Sequence, residues 1–171
     1  THYPDPGYTD LRQRLADFYA VDAVRIVLAG SASEFIFRIT AWARQQGANT
    51  VSLPAHAYGD YAHAARAWGL QPAARPDDAD LAWACEPSSP LGQNHGPWPA
   101  WLVGGVAPAA ARGTALVVDF AYAPLRLDGT PSFSAAQRQQ DWQLFSPNTA
   151  LGLTGVRAAF AIAPVGAEPA A

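Results

Sequence analysis

The sequence predicts an α/β domain, a three-layer sandwich in which a mostly parallel sheet is covered by helices on both faces. Three observations carry this expectation. Short β-rich runs alternate with helix-periodic stretches along the chain. The run Ala115-Leu116-Val117-Val118-Asp119 is apolar until its last residue, as suits a strand buried on both faces. Candidate site residues cluster where strands are expected to end, at Gly30 to Ser33, Ser89, Asp119 and Ser146. Open parallel sheets bind ligands at that edge.

The elements follow in order. Thr9 fits the N-cap of a helix over 9–19, with Leu11, Leu15 and Phe18 or Tyr19 on one face. Val24-Arg25-Ile26-Val27-Leu28 reads as a strand that ends at Gly30. A second helix opens in Ser31-Ala32-Ser33 and carries Phe35, Ile36, Ile39 and Trp42 at helical spacing. Thr50-Val51-Ser52-Leu53 is a short strand closed by Pro54, and a helix over about 58–68 stops at Gly69. Leu81-Ala82-Trp83-Ala84-Cys85 is a buried strand leading into Glu86-Pro87-Ser88-Ser89-Pro90-Leu91-Gly92. Residues 93–112 give no clear element, because Gly and Pro interrupt each apolar run. After 115–119, Ser134 can cap a short helix to about residue 140. Residues 143–146 and 156–162 supply two further strands.

Bulk properties narrow the function. The 171 residues suit one domain with a real core. A net charge of −3 and a pI near 5.7 argue against a nucleic-acid module. Cys85 is the single cysteine, so neither an internal disulfide nor a multi-cysteine zinc site is expected, and a buried, inert thiol is the simplest reading. The four histidines, at 2, 56, 63 and 95, lack paired metal spacing. No apolar run nears the roughly 20 residues of a membrane helix, and Thr1-His2-Tyr3-Pro4 does not resemble a signal peptide, so a cytoplasmic location is expected. No G-x-S-x-G elbow, Walker loop or G-x-G-x-x-G is present. All eleven basic residues are arginine, which excludes lysine chemistry for these residues, and the lack of methionine leads us to expect a piece of a longer protein.

Three constellations stand out. Gly30-Ser31-Ala32-Ser33-Glu34 joins a strand to a helix N-terminus, which can cradle phosphate or be simply a capped helix start. Asp119 ends an apolar strand, with Tyr122 three residues on; a carboxylate there needs a cation or donors, and an arginine would serve equally well. Tyr58 and Tyr61 offer an aromatic face for a flat ligand, or ordinary packing.

Taken in order, Tyr3-Pro4-Asp5-Pro6, Gly30-Ser31-Ala32-Ser33-Glu34, Ala57-Tyr58-Gly59-Asp60-Tyr61, the 86–92 loop, Val117-Val118-Asp119-Phe120-Ala121-Tyr122 and the stretch from Ser146 to Arg157 resemble landmarks of fold-type I pyridoxal-phosphate-dependent enzymes. The nearest branch resembles histidinol-phosphate aminotransferase and the threonine-phosphate decarboxylase of cobalamin biosynthesis. The resemblance implies that residues 1–171 form the large domain, with 1–20 an N-terminal segment and helix, and that a smaller C-terminal domain follows in the family. It implies pyridoxal 5'-phosphate as cofactor and amino-group transfer on an amino acid or amino-acid phosphate, with decarboxylation as the alternative.

By the same resemblance, Asp119 would pair with the pyridine nitrogen, Tyr122 would meet the phenolic oxygen and Tyr58 would stack on the ring. Backbone at Ala32 and Ser33, with Ser146, Asn148 and Arg157, would hold the phosphate. Tyr3 would reach the neighbouring subunit's cofactor, which implies a homodimer. Ser89 stands where the family usually has asparagine beside the phenolic oxygen. Thr149, eight residues before Arg157, stands at the position of the Schiff-base lysine. A hydroxyl forms no imine, so a non-catalytic cofactor-binding or interaction module is the competing expectation.

Overall fold

In the computed structural model, residues 5–89, 91–96, 98–103, 115–153 and 155–167 are described. Tyr3 lies outside them, as do residues 97 and 104–112 of the stretch that the sequence leaves unassigned. Seven strands form one sheet: β1 (Ile26–Ala29), β2 (Thr50–Ser52), β3 (Gln71–Pro72), β4 (Leu81–Cys85), β5 (Ala115–Asp119), β6 (Trp142–Phe145) and β7 (Ala159–Ile162). Their order across the sheet is β1-β7-β6-β5-β4-β2-β3. The helices are α1 (Thr9–Tyr19), α2 (Ala32–Gln45), α3 (Gly59–Ala67), α4 (Ala100–Val103) and α5 (Pro147–Leu151).

The sheet is mixed. β7 runs antiparallel to both β1 and β6, while the pairs from β6 through β3 are parallel. Six strands therefore share one direction, and their carboxyl ends lie along one edge.

Alternation along the strands sorts the core into layers. Leu81, Trp83, Val117, Leu144 and Ala161 face α2 and α3, where they meet Phe35, Ile36, Ile39, Tyr61, Ala64 and Ala65. Their neighbours Ala82, Ala84, Leu116 and Val118 face the opposite side, with Leu102, Phe120 and Phe133. On that side of β1 and β7, Ile26, Phe160 and Ile162 pack on Ala16 of α1. Phe145 and Phe160 are register partners across β6 and β7, and their rings stack at 4.9 Å.

Several sequence expectations shift. Thr9 is the first residue of α1 rather than its cap. Asp5 does the capping, its carboxylate accepting from Thr9 N–H at 2.7 Å and Gly7 N–H at 2.9 Å. Tyr19 packs inward on Phe145 and Phe160, whereas Phe18 is 80% exposed and Leu11 is also exposed. The first strand begins at Ile26, because Ala23–Arg25 forms a 3₁₀ turn. Ser134 does bond Gln137, but only a single 3₁₀ turn, Gln137–Gln139, follows. The last two strands are Trp142–Phe145 and Ala159–Ile162. β3, α4 and α5 had no counterpart in the sequence reading. Two residues of β3 are too few for periodicity to register.

Candidate active site

The carboxyl edge of the sheet converges on a cavity of about 430 Å³. Ala32 reaches it from the turn after β1, and His56 to Gly59 from the segment joining β2 to α3. Cys85 and Ser89 come from the end of β4 and its loop, Asp119, Ala121 and Tyr122 from the end of β5, and Ser146 from the end of β6. Tyr61 of α3 completes the wall. Of the residues singled out in the sequence, the cavity gathers Ala32, Tyr58, Tyr61, Ser89, Asp119, Tyr122 and Ser146.

Each position has a local cause. Ser31 caps α2, its hydroxyl accepting from Glu34 N–H at 3.1 Å, and the Glu34 carboxylate reaches back to Gly30 N–H at 3.3 Å. Strand alternation turns Asp119, like Val117, toward α3. There Oδ2 accepts the Tyr61 hydroxyl at 2.6 Å, and Oδ1 accepts Ala121 N–H at 2.9 Å. The loop carrying Ser89 is tied at its root by Glu86, which is fully buried. Its carboxylate accepts from Ser132 N–H at 2.6 Å and pairs with Arg126 at 3.3 Å.

Asp119 is 5% exposed. Burial pushes its carboxyl above the ordinary aspartate value, while the Tyr61 and Ala121 donors pull the other way. Burial and then the Asp119 charge push the Tyr61 phenol far above its usual range, so it stays protonated. The same two causes push the Cys85 thiol up to about 12. Among the described residues, no arginine or histidine pairs with Asp119. The arginine partner that the sequence left open is thus not found among the described residues.

Other sequence candidates lie around the cavity. The Ser33 hydroxyl is 3.4 Å from that of Tyr58, which is 53% exposed with its ring edge-on to Tyr61. Asn148 is half-buried in α5, and its Oδ1 is buried without a hydrogen-bond partner. Arg157 is exposed and does not line the cavity, although it lies just ahead of β7, at the same sheet edge. Thr149 falls within α5; its side chain lies outside what is described.

The sequence reading missed the part Tyr61 plays. Its spacing in α3 signalled burial, but nothing local showed that its hydroxyl would end on Asp119, 58 residues away. Among the described residues, no group of three or more His, Cys, Asp or Glu could hold a metal ion, and no helix is long and apolar enough to cross a membrane.

The mixed sheet and its flanking helices give this chain a fold shared with about half the length of several solved structures. Among solved structures, the chain is similar to L-threonine-O-3-phosphate decarboxylase from Porphyromonas gingivalis, with a TM-score of 0.69 and 20% identity over 95% of this chain and 54% of that one. It is likewise similar to histidinol-phosphate aminotransferase from Sinorhizobium meliloti in complex with pyridoxal-5'-phosphate (TM-score 0.68, 22% identity, 95% and 48% covered). The histidinol-phosphate aminotransferase from Clostridium acetobutylicum matches with a TM-score of 0.72 at 18% identity, covering 96% and 52%. The chain thus spans about half the length of these structures. No protein-family model matches the sequence, and no curated protein matches it either.

Proposed function

We propose that this chain is the cofactor-binding large domain of a pyridoxal-phosphate-dependent, aminotransferase-like protein. The observation that carries the reading is Asp119, a buried carboxylate without a basic partner among the described residues, set in a cavity walled by Tyr58, Tyr61 and Tyr122.

The residues present fit a flat, protonated heteroaromatic ring with an anionic tail. Asp119 would accept from the ring nitrogen, Tyr58 would orient the ring face, and Tyr122 and Ser89 would meet the ring's oxygen. The N-terminus of α2, at Ala32 and Ser33, would hold the phosphate with Ser146 and the donating Nδ2 amide of Asn148. Arg157, exposed at the same sheet edge, would pair with it. Tyr3 would act on the site of a second subunit in a cytoplasmic homodimer. When bound, the group supplies an electron sink for negative charge developing at the substrate's α-carbon.

The chain has no lysine, so no lysine side chain of these 171 residues can anchor the cofactor covalently. Thr149 can hydrogen-bond but cannot replace an amine in moving a proton. These residues would therefore hold the cofactor by hydrogen bonds and ion pairing alone. Amino-group transfer, on an amino acid or its phosphate, belongs to a protein in which an amine reaches this site. For the chain as it stands, Thr149 favours a binding module.

The test is a visible-absorption titration with pyridoxal phosphate, followed by borohydride and mass measurement of the peptide bearing residues 147–151. Saturable binding with no adduct on that peptide is expected. An absence of binding at millimolar cofactor would sink the proposal.

A further inference from the structure

Tyr61 is the largest of the fully buried side chains among the described residues, and its ring has little freedom. Trp83 lies flat against it at 4.4 Å with 13° between the planes, while Tyr58 meets it edge-on at 5.9 Å. A phenol buried so completely needs a partner for its O–H. With the ring plane set by Trp83, the hydroxyl meets Asp119 Oδ2 at 2.6 Å. The Ala121 N–H takes the other oxygen. The two donors fix the carboxylate plane, and each oxygen keeps a further lone pair for a ligand.

We infer that Tyr61 is a positioning residue for the ring-nitrogen subsite: its bond to Oδ2 holds Asp119 as an acceptor, so that a proton shared with a ligand's ring nitrogen rests on the nitrogen. This inference deepens the cofactor-site reading and rests on it. Two bases compete for that proton, the carboxylate and the ring nitrogen. Burial alone favours the neutral carboxyl, which would itself donate to an uncharged ring. A donor on Oδ2 stabilises the carboxylate and returns the proton to the ring. The other titratable groups at the cavity are His56, Tyr58, Cys85 and Tyr122. Of these, Cys85 is held neutral by burial. Among the described residues, none forms an ion pair with Asp119.

The experiment uses pyridoxamine 5'-phosphate labelled with ¹⁵N in the ring, a probe that needs no lysine. The ¹⁵N shift reports protonation of the ring nitrogen against pH, and fluorescence reports affinity. Tyr61→Phe keeps the ring and its stack on Trp83, removing only the hydroxyl. We expect the bound ring nitrogen to lose its proton about 1 pH unit or more earlier in Tyr61→Phe, with affinity about tenfold weaker. Unchanged titration in Tyr61→Phe, beside a clear change in Asp119→Asn, overturns the role of Tyr61 and leaves the site reading intact. If the unaltered chain does not bind the probe, or Asp119→Asn binds it equally well, both the site reading and the inference fall. Should Tyr61→Phe not fold, difluorotyrosine placed at 61, a stronger donor, must move the titration to higher pH; no movement overturns the inference.

Discussion

Asp141→Asn should stabilise the folded chain, and the gain should grow with pH. Asp141 immediately precedes β6, is fully buried, and receives no hydrogen bond from another residue on either carboxylate oxygen. Arg138 and Arg25 attract it, but neither donates a hydrogen bond to it; Arg25 Nε donates to the Ala163 carbonyl at 2.7 Å, and its buried Nη2 has no partner. Burial outweighs that attraction and pushes the carboxyl from 3.8 up to about 8. The native state therefore holds a proton between these values that the unfolded chain has released. Stability falls as pH rises through that window and levels off above it. At ~1.4 kcal/mol per pH unit, the loss has a ceiling on the order of 5 kcal/mol. Asparagine has no such titration. Urea unfolding of both proteins at pH 5, 7 and 8.5 measures the difference. The curves should converge toward pH 5 and separate above it, with the variant more stable. Parallel pH profiles, or a variant that is the weaker one at pH 8.5, would refute the reasoning, because Asp141 would then be a satisfied ion.

Two further outcomes follow from buried groups near the site. Arg126→Met leaves the fully buried Glu86 carboxylate without its cation, at a cost of about 3–5 kcal/mol, and frees Asn94 from its 2.6 Å bond. Thermal unfolding should show the loss, and adding Glu86→Gln should recover part of it; an unchanged melting temperature in the single variant would mean that backbone donors alone satisfy Glu86. Cys85, with its thiol pushed up to about 12 and its side chain buried, should react with a disulfide reagent at pH 8 at least ~100-fold slower than free cysteine. Fast stoichiometric labelling of the folded chain would contradict that environment.

Element types were largely legible where periodicity was strong. β4 and β5 match the sequence reading residue for residue, and α2 begins within the expected opening Ser31-Ala32-Ser33. Misreadings occurred where a side-chain bond that periodicity does not report decides. Val24 and Arg25 look like strand, yet Arg25 bonds Ala163 from a 3₁₀ turn. Thr9 looks like a cap, yet Asp5 folds back to take that role. The direction of β7 was not readable, since an apolar run packs equally well in either sense.

The amino-acid order alone determined which residues would stand at the strand ends: Ala32, Ser89, Asp119, Tyr122 and Ser146 are where alternation and turn chemistry place them. It determined too that no lysine would stand among them. Only the tertiary structure decided what those residues meet. Strand alternation turns Asp119 toward α3, but the Tyr61 hydroxyl arrives there because α3 packs with Tyr61 against Trp83. A buried polar group takes the partner that packing delivers, and chain spacing does not encode that delivery.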